Sequence, residues 1–129
     1  MKITLVSLLV ENQDRALHFY TSMLGFQPKH DIPMGEYRWL TVTSPEGVAG
    51  VELVLEPAAF PPARIYQQAL FEAGIPATVF MSNDIAAEYA RLKQLGVKFR
   101  GEPQKNGGAT IALFEDTCGN LINLVQPAP

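Results

Sequence analysis

Two polar residues stand inside otherwise apolar runs. Glu52 lies in Val51-Glu52-Leu53-Val54-Leu55, and Asn123 lies 71 positions later in Leu121-Ile122-Asn123-Leu124-Val125. A carboxylate in such a run is costly to bury unless it is paired or faces a wet cavity. Glu52 is therefore the candidate catalytic residue, placed to bind a ligand, polarise it or exchange a proton with it. The competing reading is an outward carboxylate on a half-exposed strand. Asn123 is its candidate counterpart, an amide able both to donate and to accept.

The other chemistry-bearing residues fit plainer roles. Cys118, the single cysteine, sits in Asp116-Thr117-Cys118-Gly119-Asn120 with no histidine nearby in sequence. A thiol needs a base or positive surroundings to become a nucleophile, so a reactive role is not expected. His18 shares a polar helix face with Arg15 and Ser22, and His30 follows Pro28 in a turn-rich segment; both read as solvated. Arg38, beside Trp39, either clamps an anion or covers apolar surface with its stem, and the second reading is the stronger. Trp39, Phe80 and Phe114 are candidates for an aromatic pocket, although Phe80 is expected to face a helix. Gly101, Gly107 and Gly108 lack the strand before and helix after that a phosphate loop requires. Loop mobility near a cleft mouth is their expected use.

The spacing between Glu52 and Asn123 recurs in Ala16 and Ala87, Leu24 and Leu95, and Gly25 and Gly96. A repeated unit at a fixed offset is the mark of duplication. Each copy begins with a short apolar strand, Val6 to Val10 or Ala77 to Met81. A capping residue follows, Asn12 or Asp84, then a helix with an apolar stripe that stops at glycine. In the first copy, strands follow at Phe26 to Asp31, Tyr37 to Thr43 and Val51 to Glu56. In the second they follow at Val97 to Arg100, Thr110 to Phe114 and Leu121 to Val125, with Gly101 to Gly108 as a loop. The expected fold is α+β, two tandem βαβββ modules in one domain. Module one covers 1–57, a connector with a short helix covers 58–75, and module two covers 76–129. Each sheet is expected to carry its helix on the outer face, leaving the other face free to curl around a cleft.

At 129 residues with 47% hydrophobic content the chain fits one globular domain. A net charge of −3 and the lack of any basic run argue against nucleic acid as a partner. The apolar stretches are too short to span a membrane. One cysteine cannot form an internal disulfide, which fits a reducing cytoplasm.

Asp14-Arg15-Ala16-Leu17-His18-Phe19-Tyr20 with Leu24-Gly25-Phe26 resembles the opening signature of the vicinal oxygen chelate superfamily. That superfamily includes glyoxalase I, extradiol dioxygenases and the fosfomycin- and bleomycin-resistance proteins. Glu52-Leu53, Glu88 to Gly96, and Phe114-Glu115-Asp116 through Gly119-Asn120 extend the resemblance over essentially the whole chain. It implies paired βαβββ modules around a cleft and, as in most relatives, a homodimer.

Enzymes of this superfamily hold a divalent metal with side chains from the first and last strands of each module. The resemblance places Leu5, Glu52, Ala77 and Asn123 at those positions. Leu5 and Ala77 have no lone pair to give, and Asn123 offers only an uncharged carbonyl. A catalytic divalent site needs about three protein ligands. No metal and no cofactor are therefore expected, and metal-dependent glyoxalase or dioxygenase activity is not. The expected function is binding of a small molecule in the manner of the bleomycin-resistance branch. The expected ligand-binding residues are Leu5, Ser7, Trp39, Glu52, Val54, Ala77, Val79 and Asn123. Leu5, Ser7, Val54, Ala77, Val79 and Met81 would make a largely apolar floor. A glyoxalase-like lyase or isomerase, or a dioxygenase-type enzyme, using Glu52 is the alternative, and whether any catalysis occurs stays open.

Overall fold

The computed structural model describes residues 1–129. Its elements are β1 (Leu5–Val10), α1 (Gln13–His18), β2 (Gln27–Met34), β3 (Tyr37–Thr43), β4 (Glu52–Pro57), α2 (Pro61–Glu72), β5 (Thr78–Met81), α3 (Ile85–Gln94), β6 (Gln104–Asn106), β7 (Ala109–Glu115) and β8 (Leu121–Pro127). Two four-stranded sheets result, ordered β1-β4-β3-β2 and β5-β8-β7-β6. In each, the first strand runs parallel to the last and the other neighbours are antiparallel. The duplicated α+β architecture matches the expectation.

The helix caps follow from residue chemistry. Asn12 Oδ1 accepts from Arg15 N at 2.9 Å, and Asp84 Oδ1 from Ala87 N at 3.1 Å. Each satisfies an amide that the helix start leaves without a partner. The first helix does not stay α-helical to its end. From Phe19 to Met23 it widens into a π turn, which accommodates one extra residue. Gly25 and Gly96 then end the two helices at φ +82° and +93°.

The second module departs from the expected strand at Val97 to Arg100. Only Phe99 makes a bridge there, to Phe114, although Arg100 N donates to Leu113 O and Glu115 N to Lys98 O. The fourth strand is instead β6, inside the segment expected to be a loop. Gly107, at φ +64°, supplies the left-handed position that turns β6 into β7.

The helices do not lie outermost. Sixteen buried residues from both modules form one core, including Leu8, Leu40, Leu55, Phe114, Ile122 and Leu124 from the sheets and Phe19, Tyr20 and Leu92 from the helical segments. Phe19 lies 6.1 Å from Phe114, and Tyr20 meets Phe80 edge-on at 6.4 Å, so the first helical segment touches the second sheet. Joining the two helix-covered faces buries more apolar surface than two separate modules would. Phe80 and Phe114 point into this core. The opposite face of each sheet, the one carrying Glu52 or Asn123, is left open.

Candidate functional site

Strand alternation decides what accompanies Glu52. Leu53 and Leu55 pack toward the core, so Glu52 and Val54 point the other way. Leu5 pairs with Glu52 and Ser7 with Val54, which puts both on the open face. Thr41 pairs with Val54, and Trp39, two residues before it, shares its side. The sheet thus brings together Leu5, Ser7, Trp39, Glu52 and Val54. Trp39 and the core-facing Phe80 and Phe114 take opposite faces of their sheets, so the aromatic pocket weighed for these three does not form.

The structure adds two partners. Thr41 Oγ1 donates to Glu52 Oε1 at 2.7 Å, and His30 Nδ1 approaches the same oxygen at 2.9 Å. Thr41 Oγ1 in turn accepts from His30 N at 3.1 Å. His30, expected to be merely solvated, is instead held against the candidate acid, with its side chain 42% exposed. A β-bulge between Pro28 and His30 sets this face, and no strand periodicity announces a bulge. The two donors, Thr41 first and His30 second, hold the Glu52 carboxyl below its ordinary range. Donation thus comes from Thr41 and His30, with no contact from Asn123. A carboxylate only accepts, so the neutral ring carries its proton on Nδ1 and offers Nε2 as an acceptor. Both bonds fall on Oε1, leaving Oε2 free.

On the second sheet, Asn123 pairs with Val79 and Leu113, while Ile122 and Leu124 face the core. The residue opposite Asn123 is therefore Val79, and Ala77 lies two residues earlier, where its amide donates to Leu121 O at 2.8 Å. Register therefore makes Val79 the counterpart of Leu5, where the resemblance assigns Ala77. Val79 has no lone pair either. Asn123 Oδ1 is buried and lacks a hydrogen-bond partner within the chain, a state that buried polar atoms rarely keep.

As a metal site the donors fall short. His30 and Glu52 engage each other, Leu5 and Val79 offer nothing, and no three His, Cys, Asp or Glu side chains are grouped to hold an ion. The arrangement suits accepting a hydrogen bond, or a proton, from a bound molecule.

Other polar residues hold the modules in place. Arg38 pairs with Asp14 and with Asp31, on the face that α1 covers, so it clamps a helix and a neighbouring strand rather than an anion. Gln13 donates to Arg38 O and Leu55 O at 2.8 and 3.0 Å. His18 is exposed, as expected. Asp116 is fully buried and accepts from Tyr20 Oη at 2.6 Å, from Asn120 Nδ2 and from the amides of Cys118 and Asn120. Gln67, on α2, donates to Leu9 O, Cys118 O and Asn120 Oδ1. Gly119 closes this turn at φ +92°, where a Cβ would stand 2.6 Å from Glu11 Oε1.

Cys118 lies within that network, with 0% of its surface exposed. Burial first, and the Asp116 charge second, push its thiol up to about 11. Only on the order of one thiol in a thousand is then ionised at pH 8. We expect a thiol-specific reagent to modify native Cys118 at least about a hundredfold more slowly than the unfolded chain. Equal rates, followed by absorbance at pH 8, would contradict its placement.

The chain's residues 2–124 match the model of the Glyoxalase/Bleomycin resistance protein/Dioxygenase superfamily. YurT, an uncharacterized protein of Bacillus subtilis strain 168, is 54% identical over 126 residues, covering 98% of this chain and 99% of its own. Among solved structures, UcmS2 superposes with a TM-score of 0.82 at 34% identity, covering 97% of each chain. TnmS3, an antibiotic binding protein from Streptomyces sp. CB03234, superposes with a TM-score of 0.78 at 30% identity, covering 99% of this chain and 97% of that one. With its doubled fold, its sequence match and these structural likenesses, the chain belongs to the glyoxalase, bleomycin resistance protein and dioxygenase superfamily.

Proposed function

We propose that this protein binds a small molecule on the open face of its first sheet, without a metal, through Glu52. The observation that carries this reading is the carboxylate itself. Thr41 and His30 keep it charged through Oε1, and Oε2 is left to receive a donor from the ligand. Leu5 and Trp39 flank it with apolar surface, with Val54 buried beside them, and ligand sites combine such surface with a few fixed polar groups. On the matching face of the second sheet, Asn123 adds a polar side chain and Val79 apolar surface, whereas Ala77, expected to line the site, packs against the core instead. The similarity to an antibiotic binding protein supports a small-molecule ligand, and the apolar side chains beside Glu52 suit one with substantial apolar surface. A thermal-shift screen of ring-bearing natural products tests this. A compound present at a hundred times its Kd stabilises the fold by about 2.7 kcal/mol. A broad panel with no compound that raises the melting temperature would contradict binding.

The His30–Glu52 pair also favours one second reading, a metal-free enzyme of lyase or isomerase type. In it, the Glu52-oriented imidazole presents Nε2 as a general base.

We further propose a homodimer. Leu5 (46% exposed), Val79 (47%) and Met81 (70%) leave apolar surface on or beside the open faces that a second copy would cover. The interface should exceed about 1,000 Å² in total. Sedimentation at tens of micromolar should give twice the 14.2 kDa chain mass, and a species of 14.2 kDa would contradict it. A protein binding its ligand in the cell interior fits the single thiol, and no helix is long and apolar enough to cross a membrane.

A further inference from the structure

A cavity of about 630 Å³ lies between the two sheets and is not lined by Glu52. The duplicated architecture has two junctions, where the end of one module's first strand approaches the turn before the other module's last strand. The first junction is closed. Glu11 N donates to Cys118 O, Asn120 Nδ2 to Leu9 O, and Gln67 Nε2 to both of those carbonyls. Gln67 comes from α2, and α2 occurs once in the chain. One connector can fill only one of two equivalent junctions. At the other, Met81 and Asn83 look across the cavity at residues 44–48, and no backbone hydrogen bond joins the two sides.

What lines this space resembles a binding site more than a packing fault. Its volume falls within the ~300–1,000 Å³ usual for ligand pockets, and far above the few-atom voids that ordinary packing leaves. Phe26, Phe80 and Phe114 contribute ring surface, and Leu53 adds an aliphatic wall. Phe26 and Phe80 already meet edge-on at 5.3 Å, a geometry that a third ring extends readily. At the rim stand Glu88 and Arg91 of α3. Neither forms a salt bridge, and Arg91 Nη1 donates to Met23 O at 3.0 Å. Glu46 lines the opposite wall, so the lining holds two carboxylates against one guanidinium and disfavours an anion.

We propose that this unfilled junction is a second binding site, separate from Glu52, for a neutral, ring-bearing molecule. The probe for the test is N-phenyl-1-naphthylamine, neutral and fluorescent in apolar surroundings, titrated against the full chain. Saturable enhancement with one site per chain is expected. Val6→Trp, on the half-exposed strand position that lines the cavity, should weaken it at least tenfold, and so should Ser44→Trp from the opposite wall. Glu52→Gln should change it less than twofold. Circular dichroism identifies any plug variant that fails to fold, in which case the other decides. The proposal is overturned if enhancement never saturates, if folded plug variants bind as well as the parent, or if Glu52→Gln weakens binding as much as the plugs. Binding that appears only on dilution to monomers would also overturn it, because a second copy would then fill the cavity.

Discussion

Asp116→Ala should cost about 3–5 kcal/mol of folding stability, the largest single loss expected in this chain. The carboxylate accepts four hydrogen bonds in a site with no solvent exposure. Removing it strands Tyr20 Oη and two backbone amides, and takes one of the two acceptors from Asn120 Nδ2, which keeps Leu9 O; each stranded donor costs about 1–3 kcal/mol. The damage reaches both modules, because Tyr20 belongs to the first and the turn to the second. Tyr20→Phe removes one of the four donors and should cost about 1–2 kcal/mol. Burial raises the Asp116 pKa despite its donors. A raised carboxyl favours folding below its unfolded pKa, and this advantage is lost as pH rises through the folded value. Urea unfolding at pH 7 measures the cost, and a loss under about 1 kcal/mol for Asp116→Ala would refute the network's structural role.

The duplication was legible because helix stops are written in residue types: Gly25 and Gly96 could end helices only in similar ways. A single spacing of 71 was nonetheless too simple. The caps Asn12 and Asp84 lie 72 apart and the glycines 71 apart, and the π turn at Phe19–Met23 accommodates the extra residue. Residues Leu5 and Val79, which pair with Glu52 and Asn123, lie 74 apart. Backbone register is decided by hydrogen bonds across strands, which residue identity specifies weakly, so the resemblance, which assigns Ala77 as the counterpart of Leu5, falls two residues short of Val79.

Glu52 stood out because a carboxylate in an apolar run is conspicuous, and alternation put Leu5, Ser7, Trp39 and Val54 on its side. His30 was hidden by a bulge, and Gln67 by its place in a connector whose helix looked like a spacer. The inward position of the helices also escaped the sequence. An apolar stripe shows that a helix packs on something, but not that two stripes share one core. No spacing of residues could have shown that one junction would be filled and its counterpart left open.

Glu52→Gln should weaken ligand binding about ten- to a hundredfold, while moving the thermal midpoint by no more than about 3 °C. The amide is nearly isosteric but loses the charge to which Thr41, His30 and a ligand donor respond. The pH dependence has a fixed sign. Thr41 and His30 depress the folded-state pKa, so the charged pairing is fully present above the ordinary carboxyl range and lost as pH falls through the lowered value. Binding should therefore persist through mildly acidic conditions and fail only below them. The most direct test is a crystal structure of the Ser44→Trp chain, whose junction cavity is plugged, with the tightest compound that a thermal-shift screen finds for that variant. The account predicts a ligand donor within about 3.2 Å of Glu52 Oε2, with apolar surface against Leu5 or Trp39. A ligand bound elsewhere, with Glu52 touching only Thr41 and His30, would contradict it.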